Sequence, residues 1–388
     1  QRIRLAAQLG SNLRGVLYIL DEPTIGLHPR DNRRLLDILD RLKRKGNSLL
    51  VVEHDEDTIR QADHVIDLGP AAGIHGGQVV AQGSVAQIRN NPASLTGRFL
   101  KEPMPHPLRG AWRPVHALCP RIQITGACKH NLQNINVRIP LGRLTVITGV
   151  SGSGKSTLLH EVLLPAARAV ANGEKPPPDI LEKIEGADHL RAVYEVDQSP
   201  IGKTPRSTPA TYVGFMDDIR RLYAQVPLAR MRGYSPSRFS YNAKGGRCET
   251  CQGAGLIRHE MNFLPPVYTP CDTCNGTRYN SETLEVLFNG KNIAQVLEMT
   301  VEEAATFFQA QPRIHRPLTL LLETGLGYLK LGQTSPTLSG GEAQRIKLVS
   351  ELIKGRGAKA QIHNPRSTIH NLYLIEEPTV GLHHEDIR

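Results

Sequence analysis

A chain of 388 residues with 39% hydrophobic content has room for two or three domains, each with a buried core. No apolar run approaches the roughly 20 residues of a membrane-spanning helix, which argues against an integral membrane role. The formal net charge of +10 favours a polyanionic partner, nucleic acid first, with a solvated basic surface as the bland alternative. The chain opens on Gln1-Arg2-Ile3-Arg4, without an initiating Met, and is expected to be a fragment of something longer.

Taken in order, Val16–Leu20 is an apolar run of strand length that ends on Asp21-Glu22-Pro23-Thr24. An acidic pair at a strand end suits an ATPase: the first carboxylate can hold Mg²⁺ and the second can orient the attacking water. The alternative is a pair of acidic turn residues. Leu35, Leu36, Leu39 and Leu42 give residues 29–45 a helical stripe, closed by Gly46. Strands are expected over 48–52, 64–68 and 78–81, with a short helix over 57–62. Residues 91–120, with prolines at 92, 103, 105, 107, 114 and 120, read as a linker or an edge segment.

A new unit opens at Arg121, with strands expected over 121–125, 135–139 and 144–148. They lead into Gly149-Val150-Ser151-Gly152-Ser153-Gly154-Lys155-Ser156-Thr157, which fits the phosphate-loop pattern G-x-x-x-x-G-K-[ST]. The following run, Leu158–Leu164, reads as a helix stopped at Pro165. In such a loop the backbone N–H groups wrap phosphates, Lys155 reaches the β- and γ-phosphates of ATP, and Ser156 ligates Mg²⁺. Strand Ala192–Val196 ends on Asp197-Gln198, and Gln198 is a polar group placed to touch Mg²⁺ or the attacking water.

Cys248-x₂-Cys251-x₁₉-Cys271-x₂-Cys274 is a four-thiolate zinc spacing. Two C-x-x-C turns close a tetrahedron around Zn²⁺ at about 2.3 Å and leave no open position, so the metal would be structural. Redox dithiols and buried cysteines are the alternatives. Six cations, Arg230, Arg232, Arg238, Lys244, Arg247 and Arg258, face two acids, Glu249 and Glu260, in this region, with Tyr234, Phe239 and Tyr241 interleaved. Rings and cations on a metal-pinned scaffold suit a nucleic-acid surface, for which Arg232, Arg238, Lys244, Arg247 and Arg258 are the candidates; an ordinary basic face is the alternative. Thr300 caps a helix over 300–309. Leu338-Ser339-Gly340-Gly341-Glu342 opens another over 343–354, and Ser339, Gly340 and Gly341 offer N–H groups to a phosphate.

An internal repeat ties the ends together. Residues 17–31 (LYILDEPTIGLHPRD) and 372–386 (LYLIEEPTVGLHHED) agree at 9 of 15 positions, and Gln1–Leu5 matches Gln344–Leu348. The spacing implies twelve extra residues in the second copy, within Gly355–His370. The chain therefore holds the end of one nucleotide-binding unit and the beginning and middle of another.

These motifs occur in the order of an ABC-type ATPase. More narrowly, the chain resembles the UvrA family, the damage-sensing ATPases of bacterial nucleotide-excision repair. The carrying stretches are DEPTIGLHPRDN (21–32), VVEHDEDTIRQADHVIDLGP (51–70), ITGVSGSGKSTL (147–158), DQSPIGKTPRSTPATY (197–212), GRCETCQGAG (246–255), PCDTCNGTRYN (270–280) and TLSGGEAQRIKL (337–348). Together they span nearly the whole chain.

The resemblance implies an α/β fold of tandem ABC-type domains, both incomplete here, with an inserted zinc-binding signature region. The expected division is 1–100 for the first domain, 101–120 for a linker, 121–200 for the start of the second domain, 201–334 for the insert and 335–388 for the signature helix and closing strand. Lys155, Ser156, Gln198, Glu376 and Glu377 would serve one ATP, with Glu376 on Mg²⁺. Asp21, Glu22 and His54 would serve the other, with His54 sensing its γ-phosphate, and Ser339–Gly341 would face that second nucleotide. On this reading the chain binds ATP at one site but assembles neither composite site. The implied partners are damaged double-stranded DNA, a UvrB-type repair subunit and a second copy in a homodimer, with no membrane; the implied location is the cytoplasm, at the nucleoid. Two departures stand out: Glu376-Glu377 replaces the family's Asp-Glu, and the 355–370 insertion is uncommon. They leave room for a UvrA-like paralogue in drug tolerance. A soluble ATPase of a transporter and a ribosome-associated ABC protein are the rivals from other classes.

Overall fold

The computed structural model describes residues 14–71, 73–102, 113–202, 204–261, 264–357, 370–379, 382 and 383. The Gln1–Leu5 half of the repeat, the middle of the proline-rich stretch and most of the 355–370 insertion lie outside them. The chain forms two compact units, residues 1–196 with 362–388, and residues 197–361.

In the first unit, β1 (Leu17–Asp21) pairs in parallel with β2 (Ser48–Val52), Asp21 opposite Val52. Between them α1 (Pro29–Arg44) lays Leu35, Leu36, Leu39 and Leu42 onto Tyr18, Leu20 and Leu49. Each buried leucine contributes about 2 kcal/mol. The helix has Pro29 in its first turn, where the missing N–H costs nothing, and Lys43 and Arg44 in its last, facing the negative end of the dipole. A short helix α2 (Glu56–Arg60) is capped by Asp55, and β3 (Val65–Gly69) pairs antiparallel with β4 (Gln78–Gly83). Two further helices follow, α3 (Val85–Asn90) and, inside the stretch expected as linker, α4 (Leu95–Lys101), capped by Ser84 and Ser94.

Residues 121–140 form the second core of this unit. β5 (Arg121–Ala127) lies between β6 (Ile135–Pro140) and β7 (Lys183–Glu185) and buries Ile122 and Ile124 completely. The run 144–148 does not form the expected strand: it has no ladder partner among the described residues, and Leu144 is 94% exposed. Nor does the helix after the phosphate loop stop at Pro165. Residues Thr157–Leu163 form a π-helical segment, in which Leu164 donates to the carbonyl of Leu159, and α5 (Leu164–Ala171) carries the helix onward. Pro165 has no N–H and its ring crowds the carbonyl one turn back; the wider π turn absorbs that conflict without ending the helix. Below it β8 (Leu190–Val196) pairs in parallel with β11 (His370–Ile375).

The second unit is a helical module around a large core in which Phe215, Tyr223, Phe239, Tyr241, Tyr279 and Phe308 are almost wholly buried. Its main helices are α6 (Pro209–Val213), α7 (Met216–Ala224), α8 (Pro227–Met231), α9 (Ser281–Leu284), α10 (Ile293–Glu298), α11 (Val301–Phe307), α12 (Pro312–Glu323) and α13 (Gly340–Gly357). The Thr300 cap is a full capping box with Glu303. An antiparallel ribbon, β9 (Leu256–Met261) and β10 (Leu264–Pro270), joins the two cysteine turns.

Candidate nucleotide site and zinc centre

The phosphate loop has the backbone its sequence demands. Gly154 sits at φ +98°, and a Cβ there would press on Leu132 and Asn131 at 2.9 and 3.0 Å. Asn131 braces the loop from outside by donating Nδ2 to the Gly152 carbonyl at 3.0 Å. Lys155 folds back and donates Nζ to the carbonyls of Gly149 and Val150, both at 2.9 Å. Ser156 donates its hydroxyl to Glu376 Oε1 at 2.7 Å. The serine and strand-end carboxylate on which the sequence argument relied, 220 positions apart, therefore converge. A hydroxyl and a carboxylate oxygen beside a phosphate loop are hard oxygen donors that suit Mg²⁺. Ser151, Ser153 and Thr157 complete the loop and the start of the helix; Glu377 follows β11 with a left-handed backbone at φ +43°.

The first copy of the repeat builds the matching turn. Glu22 also holds a left-handed backbone, φ +41°, and its N–H continues the β1–β2 pairing by donating to the Val52 carbonyl at 2.9 Å. His54 Nε2 lies 3.8 Å from Glu22 Oε1. Burial pushes the Glu22 carboxyl up; His54 opposes this, while Asp21 and Glu53 add to it. Asp21 ends β1 beside Glu22. Sequence reasoning passed over Glu53, which fixes the turn. One of its oxygens accepts from the Thr24 N–H at 2.9 Å and hydroxyl at 2.5 Å, the other from the N–H groups of His54 and Asp55. The two copies also meet. A Cβ added to Gly26 would lie 3.4 Å from Glu377 Oε2, and the ring of His383, the counterpart of His28, stands edge-on to His54 at 6.3 Å.

In the second unit Ser339 begins α13 with a reciprocal cap: its N–H donates to Glu342 Oε2 at 2.8 Å, and its hydroxyl accepts from the Glu342 N–H at 3.3 Å. Tyr328 donates to the other Glu342 oxygen at 2.7 Å. Gly340, at the start of the helix, is exposed, and Gln198 approaches within 3.4 Å of a Cβ built on it. Gln198 therefore stands beside the start of this helix. Its neighbour Asp197 accepts from Lys347, which also donates to Ser199 at 2.6 Å. Burial pushes the Asp197 carboxyl up, but the hydrogen bonds from Lys347 and Ser199 outweigh it and hold the group below the ordinary aspartate value.

The four cysteines gather. Their sulfurs all lie within 4.8 Å of one another, with Cys248 and Cys271 at 4.0 Å and Cys251 and Cys274 at 3.7 Å. A tetrahedral zinc with bonds of about 2.3 Å needs sulfurs about 3.8 Å apart, so the donor set fits the ion in both chemistry and size. The two turns are built alike: Gln252 and Gly253 after one pair, and Asn275 and Gly276 after the other, all have positive φ, from +46° to +82°. A Cβ on Gly253 would collide with the Tyr241 carbonyl. Backbone N–H groups of Cys274 and Thr273 hold the Cys271 thiol down at about 7, and burial pushes Cys274 up to about 12.

The basic candidates divide. Lys244 is exposed, and the Arg258 side chain is 55% exposed and paired with Glu260. Arg232 pairs with Glu285 at 2.6 Å. Arg247 and Arg238 have side chains only 12% and 19% exposed, held by Glu249 and Glu282. Arg238 also lies over the Tyr234 ring at 4.4 Å. The expected stacking platform is corrected in part: Phe239 and Tyr241 are core residues, 0% and 1% exposed, and Tyr241 donates its hydroxyl to the Arg206 carbonyl.

An α/β fold with a phosphate loop, a strand-end carboxylate against its serine, a signature helix and a four-cysteine insert is the fold class of ABC-type P-loop ATPase domains. Comparison with known proteins narrows this. The chain is 56% identical to UvrABC system protein A of Thermus thermophilus over 394 aligned residues, covering 100% of this chain and 39% of that protein. It is 54% identical to UvrABC system protein A of Deinococcus radiodurans, covering 100% of this chain and 37% of that protein. The crystal structure of UvrA2 from Deinococcus radiodurans superposes with a TM-score of 0.88 at 48% identity, over 100% of this chain and 45% of that one. No protein-family model matches. The chain spans about two fifths of the length of the curated relatives it matches. It belongs to the UvrA family.

Proposed function

We propose that this chain is the ATP-binding and DNA-examining part of the damage-recognition subunit of a bacterial nucleotide-excision repair nuclease. The observation that carries the reading is the convergence of Ser156 and Glu376 at the phosphate loop, in a chain more than half identical to UvrA proteins along its whole length. ATP would sit on the loop amides, and Lys155 would exchange the carbonyls of Gly149 and Val150 for phosphate oxygens. Ser156 and Glu376 would hold Mg²⁺, which when bound neutralises phosphate charge. Glu377 would orient the attacking water. In the companion site Asp21 would face the metal, Glu22 the water and His54 the γ-phosphate. Ser339, Gly340 and Gly341 would present N–H groups to a nucleotide held by the other domain, with Gln198 beside them.

Repeated strand-and-turn segments of ABC type, together with a four-cysteine insert after the phosphate loop, support a clamp in which ATP alters a basic surface. That surface would test duplex DNA by shape and deformability without reading bases. A UvrB-type subunit receiving the DNA, a homodimer and a cytoplasmic, nucleoid-associated location belong to the same proposal. A second reading, a UvrA-like paralogue in drug tolerance, is favoured by Glu376 standing where the first copy has Asp21.

The test is binding of ATP and of duplex DNA by the chain, with Lys155→Ala as the control. The wild type should bind Mg-ATP, and Lys155→Ala should weaken that by about 100-fold, the worth of a charge-assisted phosphate contact. Duplex binding should fall steeply as salt rises. Unchanged ATP affinity in Lys155→Ala would remove the nucleotide assignment. Absence of salt-dependent duplex binding would favour a transporter-type ATPase, and preference for structured RNA a ribosome-associated one.

A further inference from the structure

Glu376 is held from two sides. Oε1 accepts from Ser156, and Oε2 lies 3.0 Å from Nε2 of His160. The other ring nitrogen of His160, Nδ1, lies 3.0 Å from Glu195 Oε1, and Glu195 Oε2 lies 3.3 Å from Arg168 Nη2. The result is a chain of side chains running Ser156–Glu376–His160–Glu195–Arg168, with His160 at its centre and only 21% exposed.

The fold explains why these groups meet. Leu374 pairs with Glu195 across the parallel strands β11 and β8, so Glu376, two residues on, projects from the same face as Glu195. The helix that follows the phosphate loop lies over that face. His160 falls inside the π-helical segment and Arg168 two turns later, so both reach the carboxylates beneath. Two like charges side by side on one sheet face repel, and an imidazole set between them offsets that cost.

The arrangement bears on the departure at residue 376. The first copy of the repeat has Asp21 at this point, one methylene shorter. A glutamate has one more rotatable bond, hence more rotamers to lose before its oxygen is fixed beside Ser156. We propose that His160 is a positioning residue of the nucleotide site: it clamps the longer Glu376 carboxylate so that Oε1 stays on Ser156, and Glu195 fixes the ring in turn. The proposal rests on the reading of Ser156 and Glu376 as the Mg-nucleotide pair. Its role is geometric, and it touches neither nucleotide nor metal.

The experiment measures binding of a fluorescent ATP analogue by the whole chain, with Mg²⁺ and with a chelator. His160→Ala should weaken Mg-nucleotide binding about tenfold, the loss expected for a hydrogen bond to a charged group, and leave metal-free binding within about twofold. Glu195→Gln, which preserves packing, should shift it in the same direction by less. Adding Glu376→Asp to His160→Ala should restore most of the magnesium-dependent gain, because the shorter carboxylate needs no clamp. An unchanged magnesium-dependent gain in His160→Ala overturns the proposal. So does an equal loss with and without metal, which would mark a merely structural histidine. A wild type that shows no magnesium-dependent binding at all would instead overturn the site reading itself, and the clamp with it.

Discussion

Glu22 and Glu377 occupy the same point in two copies of one strand and turn, and both hold left-handed backbones, at φ +41° and +43°. A residue with a Cβ loses about 1–2 kcal/mol in that region, so the same strain has been kept twice. Strain of this kind gathers where a side chain must be aimed rather than merely packed. The turn aims a carboxylate off the end of a parallel strand, and in the first copy Glu53 locks it from below.

That geometry separates two substitutions that sequence alone would treat as equal. Glu377→Ala keeps a Cβ at a positive φ, whereas Glu377→Gly relieves it. The glycine variant should unfold at a higher denaturant concentration than the alanine variant, by about 1 kcal/mol in stability. Equal midpoints, or a less stable glycine variant, would show that the backbone of the turn is not constrained as described.

The cysteine turns lead to a metal prediction. The chain should purify with one zinc, and Cys271→Ser should lose it. Stripping the ion should destabilise the second unit severely, because zinc bound to four thiolates is worth on the order of 10 kcal/mol. Elemental analysis with thermal unfolding checks both. Zinc retained in Cys271→Ser would mean that the four sulfurs do not share one ion.

Asp197 gives a pH dependence with a definite sign. Its folded-state carboxyl titrates below the ordinary value of 3.8, held there against burial by Lys347 and Ser199. A depressed carboxylate stabilises the fold above its unfolded value, and that contribution disappears as pH falls through the folded one. Asp197→Asn should therefore cost about 1 kcal/mol at neutral pH, a figure kept small by solvent screening of a side chain one third exposed. The gap between variant and wild type should close as pH falls through the folded-state value. Urea titrations across that range would show it; a gap independent of pH would remove the ion pair from the account.

The basic residues of the zinc module should behave as two groups. Lys244→Ala and Arg258→Ala, at exposed positions, should each reduce the salt slope of duplex binding by about 1 and leave stability alone. Arg238→Ala and Arg247→Ala should instead lower stability, because Glu282 and Glu249 lose their partners. Equal effects of all four on the slope would mean that the buried pair also reaches DNA.

Where the sequence could be read, the signal was local. The leucine stripe of α1, the apolar runs of β1 and β2 and the paired C-x-x-C turns each carry their geometry within a few residues. The segment 144–148 misled for the opposite reason. An apolar β-branched run states a preference for extension but not whether a neighbour supplies the ladder, and here Leu144 lies exposed. Pro165 misled because a π turn can absorb a proline, which no window of sequence displays. The helices after Ser84 and Ser94 were legible: Ser84 and Gln87 make a capping box, and the nearby prolines drew attention away from it. Phe239 and Tyr241 show the limit of counting rings among cations, since the count does not say which side of the backbone faces the core. His160 and Glu195 had no motif at all. Only strand pairing between residues far apart brings them to Glu376.

That pairing bears on how the protein is made. β8 emerges from the ribosome long before β11, and an entire module with its cysteine turns lies between them in the chain. Ser156 and His160 must wait for Glu376 until that module has been synthesised, so the phosphate loop spends much of translation without its acidic counterpart. Closing so long a loop is slow compared with forming local helices. A nascent chain halted before residue 370 should therefore already hold its zinc while still lacking a grip on magnesium.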